Sequence, residues 1–378
     1  MEKSSIKIAV IGGGASGLLA SYKIKKNLGE KVDVYLYEAN DKVGKKILAT
    51  GNGKCNLSNE FIENGLYNNA FGKKIVANYS PEVIKSTFLE LGVLTKTDSE
   101  GRIYPYSQTS NTVLDGLYAS CIKNNVNIIC NKMINDIKYQ NNMFIVDNRA
   151  FDICIMACGG LASVKFKELI SKKLTAFGHN WISDHPGLCG VNTYEDTSSL
   201  NGIKVKAKVR IDDKEFKGEV LFKQHGLSGI AIFEASRYVK EGSIIHLDLL
   251  SDYSFTEISK IIDNEDKFNL TFPKMVANNL LKRANGNYLE GLKIAKDYNF
   301  KVKSLGGYEN AQIMVGGIDT LDIKDSLESK IINNLYIIGE TLNVDGTCGG
   351  YNLHFAWASA LTASYDIIEK VKKASQWK

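Results

Sequence analysis

The chain has 378 residues, of which 44% are hydrophobic and 24% charged, an ordinary usage for a soluble globular protein with room for two or three domains. A net charge of +5, with no run of five basic residues, gives no reason to expect nucleic acid, and no stretch of about 18 apolar residues is present to span a membrane. Seven cysteines without a Cys-x-x-Cys pair or zinc-like histidine spacing read as buried thiols, so no metal is predicted; with no secretion signal, the expected location is cytoplasmic.

The organising stretch comes first. The apolar run Ile8-Ala9-Val10-Ile11 feeds Gly12-Gly13-Gly14-Ala15-Ser16-Gly17, and a helix is expected over 18–27. In a strand–turn–helix of this kind Gly12 permits the tight turn, Gly14 lets backbone approach a pyrophosphate, and Gly17 lets helix and strand pack closely. Free N–H groups and the helix dipole favour the phosphate charge. A second strand, Val32 to Tyr37, ends in Glu38 and Ala39, about 20 residues past the last glycine, where a ribose-binding acid belongs.

From Ala39 to Asn59 the sequence is polar and reads as a long ordered loop, of the kind that usually carries function. Gly51 and Gly53 allow close approach of backbone, while Lys45, Lys46 and Lys54 can meet phosphate or an anionic ring edge. Gly101-Arg102-Ile103-Tyr104-Pro105-Tyr106-Ser107 reads as a turn, with Arg102 and Tyr104 either facing substrate or packed in it, and a helix is expected over 109–124. Short strands follow at 127–130, 134–139 and 143–147. The apolar strand from Asp152 to Ala157 and Cys158 stops on Gly159 and Gly160, again bringing bare backbone near a ligand.

From about Leu161 the pattern changes. Val205 to Ile211 and Glu215 to Phe222 alternate around Asp212-Asp213-Lys214, a hairpin signal. His225 lies in a glycine-flanked turn and is either a proton donor or a hydrogen-bonded structural histidine. A strand is expected over 244–250 and helices between Phe255 and Tyr298. Glycine punctuation then returns: Gly316-Gly317, a strand ending in Gly339-Glu340, and Gly349-Gly350-Tyr351-Asn352-Leu353 leading into a helix over 354–371. The fold class is therefore α/β. A Rossmann-like dinucleotide domain is built from both chain ends, 1–165 and 306–378, with an inserted β-rich domain, 166–250, and a helical appendage, 251–305. The glycine-rich approaches, hundreds of residues apart, suit a large, permanently held FAD better than a nicotinamide.

At these residues the chain resembles the flavoprotein family that includes aminoacetone oxidase and a bile-acid-reducing flavoprotein, distantly similar to glutathione-reductase-type and fumarate-reductase-type enzymes. The likeness rests on Gly12–Gly17 with Glu38, Lys45–Leu48 through Gly51–Asn59, Gly101–Ser107, Gly218–Gly229, and Gly316-Gly317 through Gly350–Leu353, and spans nearly the whole chain. It implies that Gly12, Gly14, Ala15, Ser16 and Gly17 hold the pyrophosphate and Glu38 the adenosine ribose. Lys46, Gly51, Cys55 and Asn56 would run beside the riboflavin half, and Ile134 would give backbone contacts to adenine. Gly339 and Glu340 would approach the ribityl chain. Gly350, Tyr351, Asn352 and Leu353 would set a helix N-terminus at the flavin's pyrimidine edge.

The chain departs from that family in three places. Gly159-Gly160 runs into Leu161-Ala162-Ser163-Val164-Lys165 instead of a Tyr-Pro and a Gly-Asp-Gly turn, Met314 stands for Thr, and His354 stands for Gln. Cys55 has no second cysteine before Cys121, which argues against a local redox disulfide. The expectation is an FAD-dependent oxidoreductase moving hydride between flavin N5 and a small organic substrate, an amine or an enone or ketone, with NAD(P)H as the candidate transient electron donor. The rivals are a tRNA-modifying flavoprotein, which needs a basic face, and a flavin-binding redox sensor without turnover.

Overall fold

The computed structural model describes residues 5–64, 67–160 and 164–376. The chain forms two compact units, Met1–His185 with Ile313–Lys378, and Pro186–Gln312.

The first unit is built on a wholly parallel five-stranded sheet, in the order Leu335–Ile337, Ile153–Met156, Ile6–Ile11, Val32–Tyr37, Asn127–Ile129. Both chain ends therefore contribute to one sheet, as the glycine punctuation at the two termini suggests. Its central strands are apolar on both faces because both are covered; Ile8, Ala9 and Val10 are fully buried. The helix Ala15–Leu28 packs against the C-terminal helix Tyr351–Gln376 and against Ser110–Lys123. A three-stranded antiparallel sheet, Ile137–Gln140, Met143–Val146 and Arg149–Phe151, lays Phe151 against Tyr35 and Tyr37 in edge-on contacts.

Several elements differ from their sequence-based bounds. The first helix begins at Ala15, not near Leu18, because Gly14 itself is the N-cap: its carbonyl accepts the Leu18 N–H at 3.0 Å. The expected 39–59 loop contains a short helix, Lys45–Ala49, entered through Gly44 at φ +72°. The expected turn at Gly101–Ser107 holds the strand Arg102–Pro105, which pairs with Ser58–Asn59 on one side and Thr95–Thr97 on the other. Leu161-Ala162-Ser163, the first residues of the departure after Gly160, lie outside the described residues.

The second unit is a closed antiparallel barrel, Val191–Thr193, Gly226–Ser228, Lys214–Lys223, Lys204–Ile211, Ile244–Asp248 and Tyr298–Leu305 in spatial order. The expected hairpin is in register, with Val205 opposite Val220 and Ile211 opposite Lys214. Alternation along its strands sends Val209, Phe222, Leu247, Tyr298 and Phe300 inward, where they fill the barrel. Between the last two strands run four short helices, Phe255–Ile261, Glu265–Thr271, Lys274–Arg283 and Tyr288–Lys296. Sequence sets their starts: Ser254 and Glu257 form a capping box, and Asn264 and Asn287 cap the helices that follow them.

Candidate functional site

The glycines of the first turn divide into two kinds. Gly12, at φ +112°, and Gly17 are packing positions: a Cβ would lie 2.2 Å from the Ala157 carbonyl oxygen in the first case and 2.0 Å from that of Gly12 in the second. Gly14 differs, since a Cβ there would meet nothing within 4 Å. Bare backbone at the head of a helix, with open space before it, is what a phosphate requires. Ala15 and the buried Ser16 open that helix, and Gly339, at φ +64°, sits against Ser16, so the last strand of the sheet ends beside the turn.

Glu38 is in place at the tip of the second strand. One carboxylate oxygen accepts the Gly13 N–H at 2.9 Å; the other accepts the Asn40 N–H at 2.9 Å and the Asn40 side-chain amide at 2.6 Å. A carboxylate offers about four acceptor positions, so a ribose hydroxyl still finds one. The Lys132 N–H donates to the Glu38 carbonyl at 2.8 Å and the Asn131 N–H to that of Asn40 at 2.7 Å, which brings the segment carrying buried Ile134 alongside. Ala39 lies half-buried between them.

The other predicted residues meet at a second cluster within the same unit. Gly51, Asn52, Gly53 and Cys55 all have positive φ, from +53° to +82°, and form a tight turn. It delivers Asn56, 9% exposed, whose Oδ1 has no hydrogen-bond partner among the described residues. A Cβ on Gly350 would lie 2.9 Å from that oxygen, and Gly350, at φ +104°, leads directly into Tyr351–Gln376. The first N–H groups of a helix have no acceptor within it. A buried amide and a helix N-terminus thus stand together without a side chain between them.

This second cluster is braced from behind. His354 is fully buried; its Nε2 lies 2.8 Å from the Tyr79 carbonyl and its Nδ1 2.6 Å from Ser58 Oγ. Because a carbonyl only accepts, the proton is on Nε2 and the serine hydroxyl donates to Nδ1. Burial pushes the imidazole down to about 4, keeping it neutral. Asn352 clamps the Gly346 peptide through both N–H and carbonyl at 2.8 Å, Tyr351 packs edge-on against Tyr67, and Leu353 lies against the core.

Glu340 is more engaged than the sequence suggests. Its carboxylate accepts the Gly160 N–H at 2.6 Å and the Met314 N–H at 2.7 Å, and pairs with Lys46 Nζ at 2.6 Å. The Gly159 N–H donates to Thr341 Oγ1 at 3.2 Å. The Gly-Glu segment therefore ties the loop, the glycine strand end and residue 314 together. Lys45, by contrast, turns outward to Asp41 at 2.7 Å. Burial pushes the Cys55 thiol up to about 12, so it is no thiolate. His225 is exposed at a turn of the barrel unit. Sequence reading did not single out Ser58, Tyr79 or Thr341, whose roles come from partners far along the chain.

These residues fit FAD. Open backbone with an adjacent acid stands at one cluster, an unpartnered buried amide with a helix start at the other, both in one unit. Among the described residues no group of three or more His, Cys, Asp or Glu is placed to hold a metal ion, and no helix is long and apolar enough to cross a membrane.

The family described as HI0933-like protein Rossmann domain matches residues 6–366. A 3-dehydro-bile acid delta(4,6)-reductase of Clostridium scindens is 28% identical over 415 residues, covering 96% of this chain and 99% of the relative. A ribosomal RNA dihydrouridine synthase of Escherichia coli is 26% identical over 392 residues, covering 95% and 97%. Among solved structures, the 3-ketosteroid delta1-dehydrogenase of Sterolibacterium denitrificans superposes with a TM-score of 0.54 at 10% identity, covering 97% of this chain and all of that one, a likeness of fold.

Proposed function

The chain belongs to the HI0933-like Rossmann family, and from that premise we propose that it is an FAD-dependent oxidoreductase acting on a small organic substrate whose C=C bond is conjugated to a carbonyl. The observation that carries the reading is the pairing within one unit of the open Gly14 backbone beside Glu38 with the unpartnered Asn56 amide at the head of Tyr351–Gln376. FAD, when bound, supplies a hydride acceptor and donor at N5. Gly12 to Gly17 would seat its pyrophosphate and Glu38 its adenosine ribose. Asn56 and the helix start would hold the pyrimidine edge, where the dipole favours the negative charge of the reduced form. Lys46, paired with Glu340, would fix the loop beside this edge.

The carbonyl-conjugated alkene, rather than the amine, is favoured by the name of the Clostridium scindens relative, a reductase at the delta(4,6) positions of a 3-dehydro-bile acid. NAD(P)H is proposed as reductant. The test is anaerobic: the purified protein carries oxidised-flavin absorbance, NADH or NADPH bleaches it, and an enone restores it while small amines do not. Bleaching by amines alone would replace the proposal with an amine oxidase, and a colourless protein that takes up no FAD would end it. A second reading follows from the Escherichia coli relative, because the uracil C5=C6 bond is also conjugated to a carbonyl. Restoration of the flavin band by RNA but by no small enone would select it.

A further inference from the structure

Beside the Gly51–Gly53 turn stands one polar group that nothing described above uses. On the strand Arg102–Pro105, Ile103 is fully buried in the protein, so Arg102 and Tyr104 share the opposite face. A Cβ on Gly51 would lie 3.6 Å from Tyr104 Cε1, which puts the phenol ring along the edge of that turn. Arg102 is already committed: its Nε donates to Asp98 at 2.8 Å and it pairs with Glu100 at 3.1 Å. The half-buried Tyr104 hydroxyl has no hydrogen-bond partner among the described residues. Burial raises its pKa, ahead of the opposing pull of Arg102, so the hydroxyl keeps its proton and stays a donor through the neutral range. A half-buried donor not engaged within the protein, at the rim of the turn expected to border the flavin, is free to meet an acceptor on a bound ligand.

We propose that Tyr104 is a specificity-determining residue whose hydroxyl donates a hydrogen bond to the carbonyl oxygen of a substrate docked against the Gly51–Gly53 turn. This rests on the carbonyl-conjugated substrate of the proposed function. It assigns that substrate a side of approach and a recognition element: the oxygen is held at the Tyr104 edge, with the conjugated carbons lying over the turn.

The test uses oxidised, FAD-loaded protein without reductant, so binding is read without turnover. A 3-oxo-Δ4 steroid and the same steroid lacking the 3-oxygen are titrated in, followed by calorimetry and by perturbation of the flavin band. Tyr104→Phe is expected to weaken the 3-oxo ligand about tenfold, as for one lost hydrogen bond, and to leave the deoxy ligand unchanged. Tyr106→Phe, which removes an exposed hydroxyl two residues on, is expected to change neither. If Tyr104→Phe binds the 3-oxo ligand as the wild type does, or weakens both ligands alike, the assignment is wrong while the substrate class stands. If the wild type binds neither steroid, no steroid carbonyl is held at the Tyr104 edge and the assignment is wrong, while the enone test of the proposed function stands apart from it.

Discussion

The parallel-sheet unit and the barrel unit treat their polar groups in opposite ways. In the barrel the apolar side chains close on themselves, and the outer charges pair across strands, Lys204 with Glu219 and Lys208 with Glu215, both at 3.1 Å. In the parallel-sheet unit, backbone at Gly14 opens on empty space and the buried Asn56 Oδ1 lacks a partner. A buried polar atom without a partner costs about 1–3 kcal/mol, and such a cost persists where a ligand repays it. Satisfied polarity therefore reads as architecture and unsatisfied polarity as a seat for something else.

The sharpest way to break this comparison is to damage each unit by its own weakness. Phe300 sits inside the barrel, its ring centroid 4.6 Å from that of Tyr298 and 6.0 Å from that of Phe222. Phe300→Ala is expected to cost about 3–5 kcal/mol in a denaturant titration while the folded fraction keeps its full flavin content. Loss of flavin from folded protein would show that the barrel core is not separable from the site. Gly12→Ala is the counterpart in the other unit. Its methyl would press on the Ala157 carbonyl at 2.2 Å, and φ +112° is strained for any L side chain. The expected cost is about 3 kcal/mol, with flavin lost along with the fold of the turn.

How much of this was legible in the sequence depends on whether the signal was local. The turn Gly12–Gly17, the acid at 38 and the hairpin around Asp212-Asp213-Lys214 all announce themselves within about 30 residues, and each is in its place. The family resemblance, carried by several such motifs at once, is met by the match over 6–366. What stayed hidden is long-range. Glu340 pairs with Lys46, 294 residues away, and no spacing rule reveals that its carboxylate is already engaged by Gly160 and Met314. The strand Arg102–Pro105 looked like a turn because Gly101 before it and Pro105 at its end are turn residues, and only its partner strands at Ser58–Asn59 and Thr95–Thr97 make it a sheet.

His354 tests whether satisfied polarity is architecture even at the edge of the site. Its folded pKa is depressed from the ordinary 6.5 to about 4 by burial. Above pH 6.5 the imidazole is neutral in folded and unfolded chains alike, and the folded protein has its full stability. As pH falls from 6.5 through 4 the unfolded chain takes up the proton first, so stability is lost progressively, by about 3 kcal/mol at the lower end. His354→Gln offers the same donor and acceptor without a titrating proton. It should keep the neutral-pH stability to within about 1 kcal/mol and flatten this decline in unfolding measurements at pH 7 and pH 4.5. An unchanged slope would mean that other groups carry the acid sensitivity.

The smallest expected effect on stability is the most telling for function. Gly14 is the N-cap of Ala15–Leu28, at φ −83° and ψ −164°, a conformation open to any residue, and its missing Cβ would touch nothing within 4 Å. Gly14→Ala is thus expected to shift the unfolding free energy of the flavin-free protein by less than about 1 kcal/mol, the scale of a changed cap. Titration with FAD should nonetheless show affinity reduced at least about tenfold, because one methyl then fills the approach that the pyrophosphate needs. Gly12→Ala and Gly14→Ala add the same carbon two residues apart, so a difference between them cannot come from composition or from helix propensity. If Gly14→Ala binds FAD as tightly as the wild type, the open space beside it is not the phosphate seat. The contrast between a glycine that packs and a glycine that receives would then have to be redrawn around Gly53 and Gly159, where a Cβ also meets nothing within 4 Å.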